Sequence, residues 1–257
     1  MSTPTPLPYS DRFAVRAALA PLLGDARIAT SLTSQLLAGE VVLVLGSRGD
    51  WLQVRGEDGY EGWTHAGYLT PPTGSESTWR LSLGCRVRDE SGSAYALPLG
   101  ARIAPSLDVC EGLAISAESR ASHFPPAASA IATSAGALFT GASYLWGGVT
   151  PWGCDCSGFV QRIFGLHGVH LPRDAWQQAS IGEGVSANAG DVHRAGDLLF
   201  FSDREDRRVT HVGIALGDRH MAHSSLTRGG LAVERMDSDD AYVARLRASF
   251  TGVQRVL

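Results

Sequence analysis

Cys156 opens a stretch in which apolar residues fall at Phe159, Val160, Ile163 and Phe164, the i, i+1, i+4, i+5 rhythm of an amphipathic helix. The thiol therefore belongs to the first turn of that helix. There the positive end of the macrodipole and unpaired amide donors favour thiolate over thiol. Further along, Val209 to Leu216 (VTHVGIAL) reads as a strand with Val212, Ile214 and Leu216 on one face and His211, Gly213 and Ala215 on the other. The histidine thus shares a face stripped of bulk, which leaves room for a helix end. His220 to Ser225 (HMAHSS) reads as the next strand, joined through Gly217 and Asp218. His211 and His223 are equidistant from Gly217, so a hairpin turning there sets them opposite each other, Cβ atoms about 5 Å apart. One imidazole can then orient the other. A thiol, a base and an orienting group are what acyl transfer through a thioester requires.

Each of these residues also has a duller reading, as a packed thiol or a satisfied histidine among the eight in the chain. Cys154 and Cys156 with His211 and His223 could alternatively hold zinc, but C-x-C followed by widely separated histidines does not match the usual ligand spacings. No metal and no cofactor is expected. Cys154 reads as a structural neighbour, and Cys85 and Cys110 as two small buried thiols, since four cysteines are too few for a disulfide scaffold in 257 residues.

Composition removes whole classes of chemistry. All 22 basic residues are arginine, so a phosphate-loop lysine, a Schiff-base lysine and any other side-chain amine catalyst are excluded. Against 26 acidic residues the formal charge is -4, with no basic footprint for nucleic acid or an anionic membrane. No apolar run is long enough to span a bilayer. The first residues, rich in proline and lacking an apolar leader core, read as a cytoplasmic start, or as an extracytoplasmic protein if a leader has been trimmed. A monomer is expected.

The elements that must position these groups fall into three zones. Residues 1–72 contain short strand-like runs, Glu40 to Leu45 and Trp51 to Arg55, separated by turns at Gly46 to Asp50 and Gly56 to Gly59, the spacing of a small antiparallel barrel. Linker composition follows in Pro71 to Thr78, within a second zone of short strands, 73–122. The third zone, 123–257, begins with a helix at Ala127 to Leu138 and mixes helix with strands that include Asp197 to Phe201. Helix first and sheet after describes an α+β domain preceded by two small all-β domains.

At these residues the sequence resembles the NlpC-type family of bacterial cell-wall cysteine peptidases, which have a papain-like core. The matching stretches are YLWGG (Tyr144 to Gly148), DCSGFVQ (Asp155 to Gln161), LPRDAWQQ (Leu171 to Gln178), AGDLLFF (Ala195 to Phe201) and THVGIALGD (Thr210 to Asp218), with His223 after them. The resemblance implies Cys156 as nucleophile, His211 as general base, His223 as its orienting residue and Tyr144 beside the nucleophile, supporting the oxyanion. It also implies Asp155, Ser157 and Asp174 as cleft residues. The upstream zones resemble bacterial SH3-like domains, best in GDWLQV (Gly49 to Val54) and DGYEGWTHAGYL (Asp58 to Leu69).

Two such domains before this core resemble the subgroup of γ-D-glutamyl-L-diamino acid endopeptidases of the dipeptidyl-peptidase VI type. These act on murein peptides with a free N-terminal L-alanine, L-Ala-γ-D-Glu-diaminopimelate, in peptidoglycan recycling. An ammonium in a closed cleft must meet a carboxylate, and Glu40 and Tyr60 are the SH3-side residues expected to meet it. Three alternatives stay open: a general wall hydrolase, an amidase or acyltransferase on the same core, and a non-catalytic wall-binding module.

Overall fold

A computed structural model of the chain describes residues 11–72 and 79–257. The N-terminal segment and most of the linker stretch Pro71 to Thr78 lie outside the described residues. The chain divides into two compact units, Met1–Arg120 and Ala121–Leu257.

Unit one holds two antiparallel sheets. The first contains β1 (Arg12–Val15), β2 (Leu19–Leu23), β3 (Leu32–Leu37), β4 (Val41–Arg48), β5 (Trp51–Arg55), β6 (Glu61–His65) and β7 (Leu69–Thr70), in the order β3-β2-β6-β5-β4-β1-β7. Alternation along these strands turns Val42, Val44, Leu52 and Val54 inward onto Val15, Leu22, Leu36 and Leu69. Between Arg48 and Trp51, which pair across the β4–β5 hairpin, Gly49 takes a φ of +59°, where a side chain would be strained.

The second sheet is built around β8 (Arg80–Arg88), which pairs with β9 (Ala94–Leu97), β10 (Arg102–Ile103) and β11 (Asp108–Ser116). Its inward residues are few, and β11 is largely exposed, which is why this zone carries weak patterning in the sequence. The two zones separated in the sequence form one unit. Arg102 N–H donates to the Ala38 carbonyl at 2.8 Å, and its guanidinium grips both carboxylate oxygens of Glu57 at 2.6 and 2.5 Å. The expectation of two buried thiols is half right: Cys85 is buried and Cys110 exposed, and both are free.

Unit two begins around the short α1 (Arg120–His123) and continues with α2 (Ala128–Ala137), β12 (Val149–Thr150), β13 (Gly153–Cys154), α3 (Cys156–Leu166), α4 (Ala175–Gln178) and β14 (Glu183–Val185). Then follow β15 (Leu198–Phe201), β16 (His211–Gly217), β17 (His220–Ser225), β18 (Gly230–Arg235), α5 (Ala241–Ser249) and β19 (Phe250–Arg255). The six-stranded sheet runs β14-β19-β15-β16-β17-β18. The expected helices and strands are present, while β14, β18, α5 and β19 were not read from the sequence. Of α5, only Val243 and Leu246 are buried, so its apolar signal is two residues long.

Helix α3 starts where Asp155 caps it, accepting the Gly158 N–H at 2.7 Å, and it buries Phe159, Val160, Ile163 and Phe164 as the periodicity requires. His167 follows α3, fully buried, with one ring nitrogen 2.6 Å from the Pro125 carbonyl and the other 2.9 Å from Ser134 Oγ. It pins α3 to α2. Gly158 admits no side chain: an added Cβ would sit 2.2 Å from the Gly148 carbonyl oxygen, so the GG and SG of the two motifs are a close backbone approach.

Candidate active site

Cys156 is the first residue of α3 and is 8% exposed. Its sulfur is favoured as thiolate by the backbone N–H groups of Val212 and Ser157 and by the charge of Arg173. These do not win. Burial, reinforced by the adjacent Asp155 carboxylate, pushes the thiol up to about 12. Desolvation thus opposes the helix terminus, which by itself favours thiolate. Val212 is next to His211, so the thiol lies against the strand that carries the imidazole.

His211 Nε2 and His223 Nδ1 share a hydrogen bond of 2.7 Å, with ring centroids 5.0 Å apart and planes at 74°. His211 is held well below the ordinary imidazole range, first by burial and then by the neighbouring His223.

The two histidines do not face each other directly. Ile214 pairs with Ala222 and Ala215 with Met221, so the register is displaced by two residues from a turn centred on Gly217. Three successive residues with positive φ, Gly217, Asp218 and Arg219, and a bulge between Ala215 and Gly217 cause the displacement. A shift of two preserves the face, whereas a shift of one would have sent His223 to the other side. The rings meet diagonally across the pair. Ala215 and Met221 pack with Val243 and Leu246 of α5, and α3 also packs against β16.

Tyr144, half-buried, forms a parallel bridge with Cys154, and its backbone N–H donates to the Gly229 carbonyl at 2.9 Å. Burial and the neighbouring Cys156 and Asp155 charges raise its phenol to about 12, which keeps it a proton donor. Cys154 is fully buried and raised to about 11 by that burial. Ser224 Oγ donates to its carbonyl at 2.7 Å.

Asp155 and Ser157 are both buried in a network the sequence reading missed. Arg173, 2% exposed, donates to Asp155 Oδ1 at 3.0 Å and Oδ2 at 2.6 Å and to Ser157 Oγ at 2.9 Å. The Gly147 and Gly158 N–H groups complete the shell of that carboxylate at 2.8 and 2.7 Å. The only sequence signal for Arg173 was an arginine inside an otherwise matched motif. Asp174 caps α4, its N–H donating to Gln177 Oε1 at 3.3 Å.

In unit one, Glu40 precedes β4 and accepts the Leu37 N–H at 2.9 Å, while Tyr60 packs on the barrel core and donates its N–H to Asp58 Oδ1 at 3.0 Å. Val41 N–H donates to Glu57 at 3.2 Å, so the turn bearing Glu40 and the turn leading to Tyr60 lie side by side. Among the described residues, no group of three or more His, Cys, Asp or Glu side chains is arranged to hold a metal ion.

Residues 141–247 match the NlpC/P60 family, and residues 22–66 match the bacterial dipeptidyl-peptidase SH3 domain. The γ-D-glutamyl-L-lysine dipeptidyl-peptidase of Bacillus subtilis (strain 168) is 32% identical over 219 residues, 76% of this chain and 73% of that protein. The chain belongs to the NlpC/P60 family. A protein of Bacillus cereus with the same name is 29% identical over 234 residues, covering 76% of this chain and 68% of its own length. A solved NlpC/P60 family structure from Bacillus cereus superposes with a TM-score of 0.77 at 20% identity, covering 96% of this chain and 99% of that one. The papain-like NlpC/P60 fold and the SH3-like N-terminal domain are thereby established. Peptidases of the NlpC/P60 family are cysteine hydrolases.

Proposed function

We propose that this NlpC/P60 protein is a cysteine endopeptidase that hydrolyses the γ-D-glutamyl-diaminopimelate bond of murein peptides bearing a free N-terminal L-alanine, in peptidoglycan recycling. The observation that carries the reading is the placement of the Cys156 thiol against the Val212 N–H, beside His211, whose Nε2 is held 2.7 Å from His223. Cys156 passes its proton to His211 and attacks the γ-carbonyl carbon of D-glutamate. The oxyanion is received by the Cys156 N–H and the Tyr144 hydroxyl. His211 then gives the proton to the departing amine of the diamino acid, and water hydrolyses the thioester.

Asp155, Ser157 and Asp174 shape the cleft in this reading. Glu40 and Tyr60, on adjacent turns, are the proposed receptors of the substrate ammonium. The dipeptidyl-peptidase relatives support the γ-D-glutamyl bond, and their name places L-lysine after it. We extend the reading to a cytoplasmic protein acting on imported fragments, which fractionation of cells with an antibody to the native chain would test.

The decisive assay incubates the protein, beside Cys156→Ala, with L-Ala-γ-D-Glu-diaminopimelate, its L-lysine analogue and an N-acetylated copy, and follows cleavage by mass spectrometry. Cleavage of the free peptides alone is expected. Cleavage of the acetylated copy at equal rate would mark a general wall hydrolase, and cleavage by Cys156→Ala would remove the thiol mechanism.

A further inference from the structure

His223 is 0% exposed, and its Nε2 has no hydrogen-bond partner among the described residues. The atom nearest to satisfying it is Glu234 Oε1, at 3.7 Å, an ion-pair distance rather than a hydrogen bond. Glu234 lies on β18 two residues beyond Ala232, the cross-strand partner of His223, and so projects on the same face. Its carboxylate is itself fixed. Arg228, from the turn between β17 and β18, donates to both oxygens at 2.6 and 3.1 Å and reaches Asp240 at 2.9 Å, the residue that caps α5.

The hydrogen bond between the two histidines contains one proton, and two tautomeric arrangements can supply it. In the first, His211 donates from Nε2 and keeps its other nitrogen bare, fit to take the thiol proton. His223 Nδ1 is then the acceptor, and its own proton sits on Nε2, pointing at Glu234. In the second, His223 donates from Nδ1, which turns a bare Nε2 lone pair on a carboxylate and leaves His211 protonated on the nitrogen that must act as base. A fixed anion opposite Nε2 penalises the second arrangement and favours the first. It also favours positive charge on the pair once the thiol proton has arrived.

We propose that Glu234 is a positioning residue of the site: through His223 it selects the tautomer in which His211 can act as base, and it stabilises the imidazolium that forms. The proposal rests on the thiol-peptidase reading for its catalytic consequence but not for its structural test. The groups around the pair are Glu234 from β18 and Tyr242 from α5, stacked on His223 at 6.0 Å; Cys156 from α3 acts on Tyr242, and Arg228 and Arg245 lie near the Tyr242 ring at 4.8 and 5.8 Å. Of these only Glu234 brings a negative charge to His223 in the resting state.

The test is nitrogen NMR of the full chain with ring-labelled histidine, without substrate. The wild type is expected to carry the His223 proton on Nε2 with Nδ1 bare. Glu234→Gln should lower the pH at which the His211–His223 pair takes up its proton by about one unit, and Glu234→Asp by less. With a murein peptide, Glu234→Gln should lower kcat about tenfold and leave KM within twofold, because the charge acts on the base and its protonated form and not on substrate binding. A bare Nε2 on His223 in the wild type, an unmoved titration in Glu234→Gln, or an unchanged kcat would each overturn the proposal, whatever happens to the melting temperature. Should Glu234→Gln fail to fold, the direction of the Glu234→Asp titration decides. Failure of the wild type to cleave any murein peptide sinks the peptidase reading alone, since the NMR titration needs no turnover.

Discussion

Two carboxylate–arginine pairs flank the reactive groups, and they are built differently. Beneath Cys156, Asp155 is enclosed with Arg173, and its two oxygens are taken up by two guanidinium nitrogens, two backbone N–H groups and Ser157. Behind His223, Glu234 is braced by an Arg228 that remains a third exposed, and it faces an imidazole nitrogen it does not quite reach. The saturated pair fixes backbone: it ties the start of α3 to the Gly147 loop and to the segment before α4. The unsaturated pair leaves its anion able to respond to a proton arriving on the histidines. Full satisfaction makes a buried ion pair a structural device, while incomplete satisfaction beside a titrating group makes it an electrostatic one.

That contrast can be broken from either side. The largest effect is on turnover: Cys156→Ala should abolish murein peptide cleavage and leave far-ultraviolet circular dichroism unchanged, and a rate above background would refute the assignment of the nucleophile. Next, Arg173→Ala leaves Asp155 buried without its cation and should cost about 3–5 kcal/mol in urea unfolding. A loss under about 1 kcal/mol would mean that the network is hydrated and structurally idle. For scale, Leu52→Ala in the core of the first barrel should cost about 2–5 kcal/mol and leave kcat untouched.

A smaller and more diagnostic effect comes from pH. His223, then Arg228, hold the Glu234 carboxyl down to about 2, so its folded-state value lies below the unfolded one. Its contribution is therefore complete above the unfolded value and is lost as pH falls toward about 2. The stability gap between wild type and Glu234→Gln should shrink as urea unfolding is repeated from pH 6 down to pH 3. A gap that widens on acidification would reverse the sign of the interaction. The smallest effect is Arg228→Ala, whose cation is partly solvated and whose loss should lower the urea midpoint less than Arg173→Ala does.

Much of the site was legible in one dimension because its cues are local. Asp155 before an apolar stretch of helical period marks both the cap and the first turn of α3, and Cys156 falls there without reference to anything distant. Parity along β16 and β17 places His211 and His223 on a common face wherever the turn lies to within an even number of residues. Glu234 gave no such cue. It belongs to a strand with little apolar alternation, and its relation to His223 exists only once β18 pairs with β17.

What the sequence determined by itself was the order of elements, the face of each side chain and the residue types at the reactive positions, since these follow from periods of 2 and 3.6 and from caps and turns within a few residues. Tertiary structure decided the two-residue register that makes the histidines diagonal, the enclosure that pushes Cys156 up to about 12 against its helix terminus, and the partners of Asp155 and His223. Register depends on which of two in-phase pairings packs better, and desolvation depends on everything that surrounds an atom. Both are sums over residues far apart in the chain, and no local pattern encodes them.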